Sequence, residues 1–150
     1  MTGYQESLAA TVTRTLEDMC FFYVSPVLTD EQRDAHLDGA MEVTFCGPRA
    51  GRLVVSLSGD TLPTLASNML GDADGSPDMQ RDALGEVANV ICGNLLPIIG
   101  GTGAVYSIGA ATPAIMPRNR EDACLRAQVH LGVEEMGRAD VLLYIDRDME

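Results

Sequence analysis

The run from about Pro77 to Ile98 constrains the fold most, because its pattern fits a single long helix. Ser76 followed by Pro77 is a helix start: a hydroxyl caps free amides, and proline's missing N–H costs nothing at the first helical position. Leu84, Val87, Ala88, Ile91, Leu95 and Ile98 recur at spacings of three and four, which predicts one apolar face. At about 100° per residue, Asp82, Glu86, Asn89 and Gly93 fall within roughly 60° of one another on the opposite face. Pro97 perturbs the last turn and Gly100-Gly101-Thr102-Gly103 ends it. That glycine cluster follows a helix and lacks G-K-[ST], so it is not a phosphate loop.

The remaining chain supplies a sheet and two more helices. Glu6 to Tyr23 predicts a first helix with Leu8, Val12, Leu16 and Met19 or Cys20 on one face. Pro26 to Gly39 is polar and acidic, a loop or short helical turn. Met41 to Cys46 and Arg52 to Ser58 alternate apolar and polar residues around a Gly47–Gly51 turn, which predicts an antiparallel hairpin with one buried face. Arg49 and Arg52 are read there as solvated charges. Asp60 is the expected N-cap of a helix over Thr61 to Leu70, with Gly71 its stop. The acidic stretch from Gly71 to Ser76 has the aspartate spacing of a calcium loop but no terminal glutamate, which excludes an EF-hand. Ala104 to Ala110, Ala123 to Leu131 and Asp140 to Ile145 are expected strands, with an irregular Thr112–Arg120 segment between the first two. Helix, two strands, two helices and three strands, without βαβ alternation, predict an α+β fold: an antiparallel sheet with helices on one face.

Composition narrows the function. One domain over residues 1–150 is expected from the length. The net charge of −12, with no lysine, offers no basic footprint for nucleic acid or an anionic membrane. No uninterrupted apolar run reaches the roughly 18 residues of a membrane span, and the N-terminus lacks a signal peptide's basic and apolar regions, so a cytoplasmic location is expected. Cys20, Cys46, Cys92 and Cys124 form no C-x-x-C and are each expected to be buried thiols. A cysteine nucleophile served by His36 or His130 has no motif behind it, and His130 reads as structural.

The polar row on the long helix is therefore the candidate site. A solvated helix face is its simplest explanation. Against that, Glu86 has no arginine at i+4, Asn89 is a mediocre helix-interior residue, and Gly85 and Gly93 each cost about 1 kcal/mol relative to alanine. An asparagine amide is no general base near neutral pH, but it both donates to and accepts from a water. Phosphoryl transfer asks mainly for positioning and electrostatics, so such a group suffices if a partner supplies phosphate and metal.

Glu86-Val87-Ala88-Asn89-Val90-Ile91-Cys92-Gly93-Asn94 resembles the signature helix of the CheC/CheX/FliY chemotaxis phosphatases, with the single-motif CheX branch the nearest. That pattern is Asp or Ser, three residues, Glu, two residues, Asn, and a later Pro; Asp82, Glu86 and Asn89 match it. Pro113 follows Asn89 after 23 residues, one more than the pattern. The early Glu6–Thr13 region has no second Glu/Asn pair, which implies one active face per subunit. The resemblance implies a pseudo-repeat fold, a homodimer, and hydrolysis of the aspartyl phosphate on a CheY-like receiver domain. It implies that Asn89 orients the attacking water and Glu86 binds the receiver's lysine. Asp82 and Gly93 would serve docking, with no cofactor in this chain and Mg²⁺ held by the receiver. The competing class is a non-catalytic receiver-binding or flagellar-switch-like module; retention of both Glu86 and Asn89 favours catalysis.

Overall fold

Four alternating runs pair into the centre of a seven-stranded antiparallel sheet. The computed structural model describes residues 3–71, 76–101, 103–114 and 124–146. In chain order the elements are α1 (Gly3–Asp18), β1 (Val24–Ser25), α2 (Asp30–Asp34), β2 (Leu37–Cys46), β3 (Gly51–Ser58), a 3₁₀ turn (Gly59–Thr61), α3 (Leu62–Leu70), α4 (Pro77–Gly100), β4 (Ser107–Ile108), β5 (Thr112–Pro113), β6 (Leu125–Val133) and β7 (Gly137–Ile145). The sheet order is β1-β6-β7-β3-β2-β4, with β5 also paired to β2.

Register aligns the apolar positions into rows that cross the sheet. Val43, Leu53, Leu143 and Ala127 form one row, and Met41, Val55, Val141 and Val129 the next. All eight are buried. The three longer helices cover this side: α1 over β6, α4 over β2, and α3 against α4. Each long helix thus lies over the outer strand of the hairpin from the other half of the chain, which ties the halves together. The α+β fold with helices on an antiparallel sheet stands as the sequence predicts.

The reverse side of the sheet departs from the expected single buried face. Val54, Leu142 and Tyr144 are buried there, so β3 is enclosed on both sides. Arg52 is not a free surface charge: its guanidinium lies 4.1 Å from the centroid of the Tyr144 ring, a cation–π contact. Asp140, only 1% exposed, receives two bonds from Arg138 (2.9 and 2.8 Å) and lies 3.0 Å from His130 Nδ1. Burial alone would raise the Asp140 carboxyl; the bonds from His130 and Arg138 outweigh it and hold the group below its ordinary value. His130 is thereby a structural partner, as its sequence setting suggested. The single turn α2 lies on this same reverse side, closed by a capping box of Thr29 and Gln32. The Gln32 side chain fills the space left by the missing side chain of Gly132.

Several boundaries move. The first helix spans Gly3–Asp18 and closes with Phe21 in the left-handed region (φ 59°), not at Tyr23. Asp60 does not cap the third helix: it sits in the 3₁₀ turn and accepts from the Ser58 hydroxyl at 3.0 Å. Gly71, at φ 71°, stops that helix as expected. The strand expected over Ala104–Ala110 shrinks to Ser107–Ile108, and the Thr112–Arg120 segment is described only to Ala114, with Thr112–Pro113 paired to β2. The Asp72–Gly75 part of the acidic linker also lies outside the described residues. By length and composition α4 is apolar enough to cross a membrane (mean hydropathy 1.5), yet half of that window is buried inside the protein, as in a core helix.

Candidate functional site

The site is one face of α4, and the helix is fixed at both ends. The Ser76 hydroxyl accepts from the Met79 N–H at 3.3 Å, and the Gly101 N–H donates to the Pro97 carbonyl at 2.8 Å. Leu84, Val87, Ala88, Ile91 and Leu95 face inward and are buried, as predicted. Ile98 is a correction: it is 51% exposed, while Ile99 packs on the core. The helix runs unbroken through Pro97 to Gly100, and by its last turns the buried stripe has moved round to Cys92, Leu95 and Leu96, which leaves Ile98 off its edge and Ile99 within it.

Gly85 has a packing reason. A Cβ there would lie 3.1 Å from the Ala111 Cβ and 3.3 Å from Met41 Cε. Glycine therefore lets the segment leading into β5 approach the helix one residue before Glu86. Pro113, the residue that the motif spacing singled out, lies in β5 opposite Met41.

On the outward face Asp82, Glu86 and Gly93 are exposed and Asn89 is half-buried. The row predicted from the sequence is thus assembled on one accessible surface. Asp82, Glu86 and Asn89 have no side-chain hydrogen bond or ion pair among the described residues, whereas Arg81 on the same helix pairs with Asp78 at 2.7 Å. Gly93 differs from Gly85: nothing lies within 4 Å of a Cβ placed there. No contact among the described residues requires glycine at that position. Pro97, four residues on, also offers no N–H to the Gly93 carbonyl, so both backbone and surface are open at this point.

The other reactive groups stand elsewhere. Burial pushes the Cys20 thiol up to about 12 and the Cys92 thiol to about 11, so both are protonated and inert near neutral pH. Cys46 is exposed and Cys124 half-buried, contrary to the expectation of four buried thiols. His36 is exposed beside Asp38, and His130 lies on the reverse side of the sheet. Chemically, the α4 face presents a carboxylate for a cation and a carboxamide for a water.

One neighbouring feature escaped sequence reasoning. A groove of about 440 Å³ runs between α1 and α4, lined by Arg14, Thr15, Asp18 and Met19 on one wall and Val90, Asn94 and Ile98 on the other. The Val90, Asn94, Ile98 spacing of four is visible in the sequence, but the opposite wall exists only once α1 packs beside α4.

Comparison with known proteins bears on this geometry. Residues 40–132 match the family model described as chemotaxis phosphatase CheX. No curated protein matches the chain. The fold is similar to chemotaxis protein CheX from Vibrio vulnificus (TM-score 0.74, 15% identity, 97% of each chain). It is also similar to a CheC-like superfamily protein from Shewanella sp. PV-4 (TM-score 0.70, 14% identity, 98% of this chain and 100% of that one). A third similar structure is the CheX–CheY–BeF₃–Mg²⁺ complex from Borrelia burgdorferi (TM-score 0.64, 14% identity, 95% and 97% of the two chains).

Proposed function

This chain belongs to the chemotaxis phosphatase CheX family, and from that membership we propose that it hydrolyses the aspartyl phosphate of a CheY-type receiver domain. The observation that carries the reading is the pair of exposed Glu86 and half-buried Asn89, one turn apart on the outward face of α4 and without side-chain partners among the described residues. No contact of the fold engages either side chain among the described residues. This pair is left for something that arrives.

In the proposed reaction Asn89 enters the receiver's active site and its amide holds a water in line with the phosphorus. The water oxygen forms the new P–O bond and the bond to the aspartate oxygen breaks. Free phosphate and the aspartate carboxylate leave, with the water's proton passing to phosphate or solvent. Catalysis of this kind rests on positioning and charge, since the leaving carboxylate needs no acid. Glu86 takes the receiver's lysine, Asp82 and Gly93 belong to the docking surface, and the Mg²⁺ is the receiver's. The family relative from Borrelia burgdorferi, whose structure is a CheX–CheY complex, supports a receiver of the CheY type. A homodimer and a cytoplasmic location complete the proposal.

The test is the decay of phosphoaspartate on receiver domains from the same genome, with the wild-type protein and with Asn89→Ala. Acceleration by the wild type that disappears in the variant is the expected result. Decay unchanged across every receiver would leave a non-catalytic binding module.

A further inference from the structure

The α1–α4 groove adjoins the proposed docking face: Val90 and Asn94 each follow, by one residue, the site residues Asn89 and Gly93. Its α4 wall is aliphatic at both ends. Ile98 is 51% exposed although the helical period assigns it to the core. Val90 is half-buried, and Met19 of α1 adds a flexible apolar surface. Arg14 is the one cation among the lining residues of a chain whose net charge is −12. It has no ion pair among the described residues, although Asp18 stands one turn further along the same helix. An arginine preceding an aspartate is the weaker orientation for such a pair, because it opposes the helix dipole. The guanidinium therefore remains open to a carboxylate from outside.

We propose that this groove is the specificity subsite of the receiver-docking surface. It takes an apolar side chain of the receiver between Val90, Ile98 and Met19, and Arg14 pairs with a carboxylate beside that side chain. This rests on the phosphatase reading above and deepens it. The α4 row acts on features that any phosphorylated receiver of this type would present, a lysine and an aspartyl phosphate. A surface that selects one receiver among several must lie outside that common chemistry, and the groove is contiguous with it. Arg14 and Ile98 are specificity residues, remote from the reacting atoms, and their effect belongs in KM and in partner choice rather than in kcat.

The experiment measures kcat and KM for phosphoaspartate hydrolysis on the best receiver with wild type, Asn89→Ala, Ile98→Asp, Arg14→Glu, Arg14→Lys and the exposed control Val105→Asp. Ile98→Asp and Arg14→Glu should each lower kcat/KM roughly tenfold, through KM, with kcat within about twofold of wild type. Arg14→Lys should recover most of the Arg14→Glu loss, and Val105→Asp should have no effect. Ile98 and Arg14 are exposed, so folding survives both changes, and unchanged melting temperatures verify it. If Asn89→Ala retains full activity, the phosphatase site itself is misassigned. If Asn89→Ala is inactive while Ile98→Asp and Arg14→Glu keep wild-type kcat/KM, the groove inference alone is overturned. A change of oligomeric state in Ile98→Asp with KM unaltered would likewise overturn it, since the groove would then hold a second copy of this chain.

Discussion

Helices α1 and α4 are built alike on the inside and differently on the outside. Leu8, Val12 and Leu16 line α1 at the same spacing as Val87, Ile91 and Leu95 line α4, and all six are at most 1% exposed. The outward side of α1 carries Glu6, Ala10, Arg14 and Glu17, which neither form a Glu/Asn pair nor flank an interior glycine. The outward side of α4 carries Asp82, Glu86 and Asn89, followed by a glycine with open space in front of it. The inner rows specify where a helix lies. The outer row specifies whether it does anything there.

Substitutions on the two helices should separate those roles. The largest effect is expected from Leu8→Ala: a fully buried leucine in α1 should lose about 2–5 kcal/mol in urea unfolding, with the kcat of the remaining folded protein unchanged. Loss of kcat in protein that is still folded would mean that α1 contributes to the reaction. Asn89→Ala should act the other way, lowering kcat about 100-fold, near 2.7 kcal/mol, while stability and receiver affinity stay close to wild type. A drop in melting temperature would instead assign Asn89 to the fold. Glu86→Ala should weaken docking and turnover together by roughly tenfold, about 1.4 kcal/mol, with the gap between wild type and variant narrowing as salt is raised. The smallest change, Gly93→Ala, should stabilise α4 by about 1 kcal/mol and at the same time reduce receiver affinity. Higher stability with undiminished affinity would remove Gly93 from the docking surface.

How far the sequence reached follows from what kind of information each feature needs. The hairpins were legible because Leu53, Val55 and Leu57 alternate along one strand, and a period of two survives without tertiary knowledge. The polar row on α4 was legible for the same reason at period 3.6, since a single helix projects its residues onto one face unaided. Strands β1, β4 and β5 are two residues each, too short to show any period. Burial of Val54 and Ser56 on the reverse side depends on what covers the sheet, and Asp140 acquires His130 and Arg138 only through the β6–β7 register. Ile98 failed because its spacing from Leu95 was counted without following the buried stripe, which by the last turns has moved round the helix to Cys92, Leu96 and Ile99. The groove needed two segments far apart in the chain to meet.

The amide of Gln5 has a consequence for the behaviour of the whole molecule in concentrated solution. It donates to the Gln128 carbonyl at 2.6 Å and accepts from the Gln128 N–H at 3.1 Å, on the strand that also pairs outward with β1 at Gly132 and Val133. One helical side chain therefore takes hydrogen bonds that a neighbouring strand would otherwise make. An uncovered strand edge is a template for another chain, and an in-register stack of such edges is the start of a fibril. The helix without the Glu86/Asn89 row is, in this sense, the sheet's guard against its own kind.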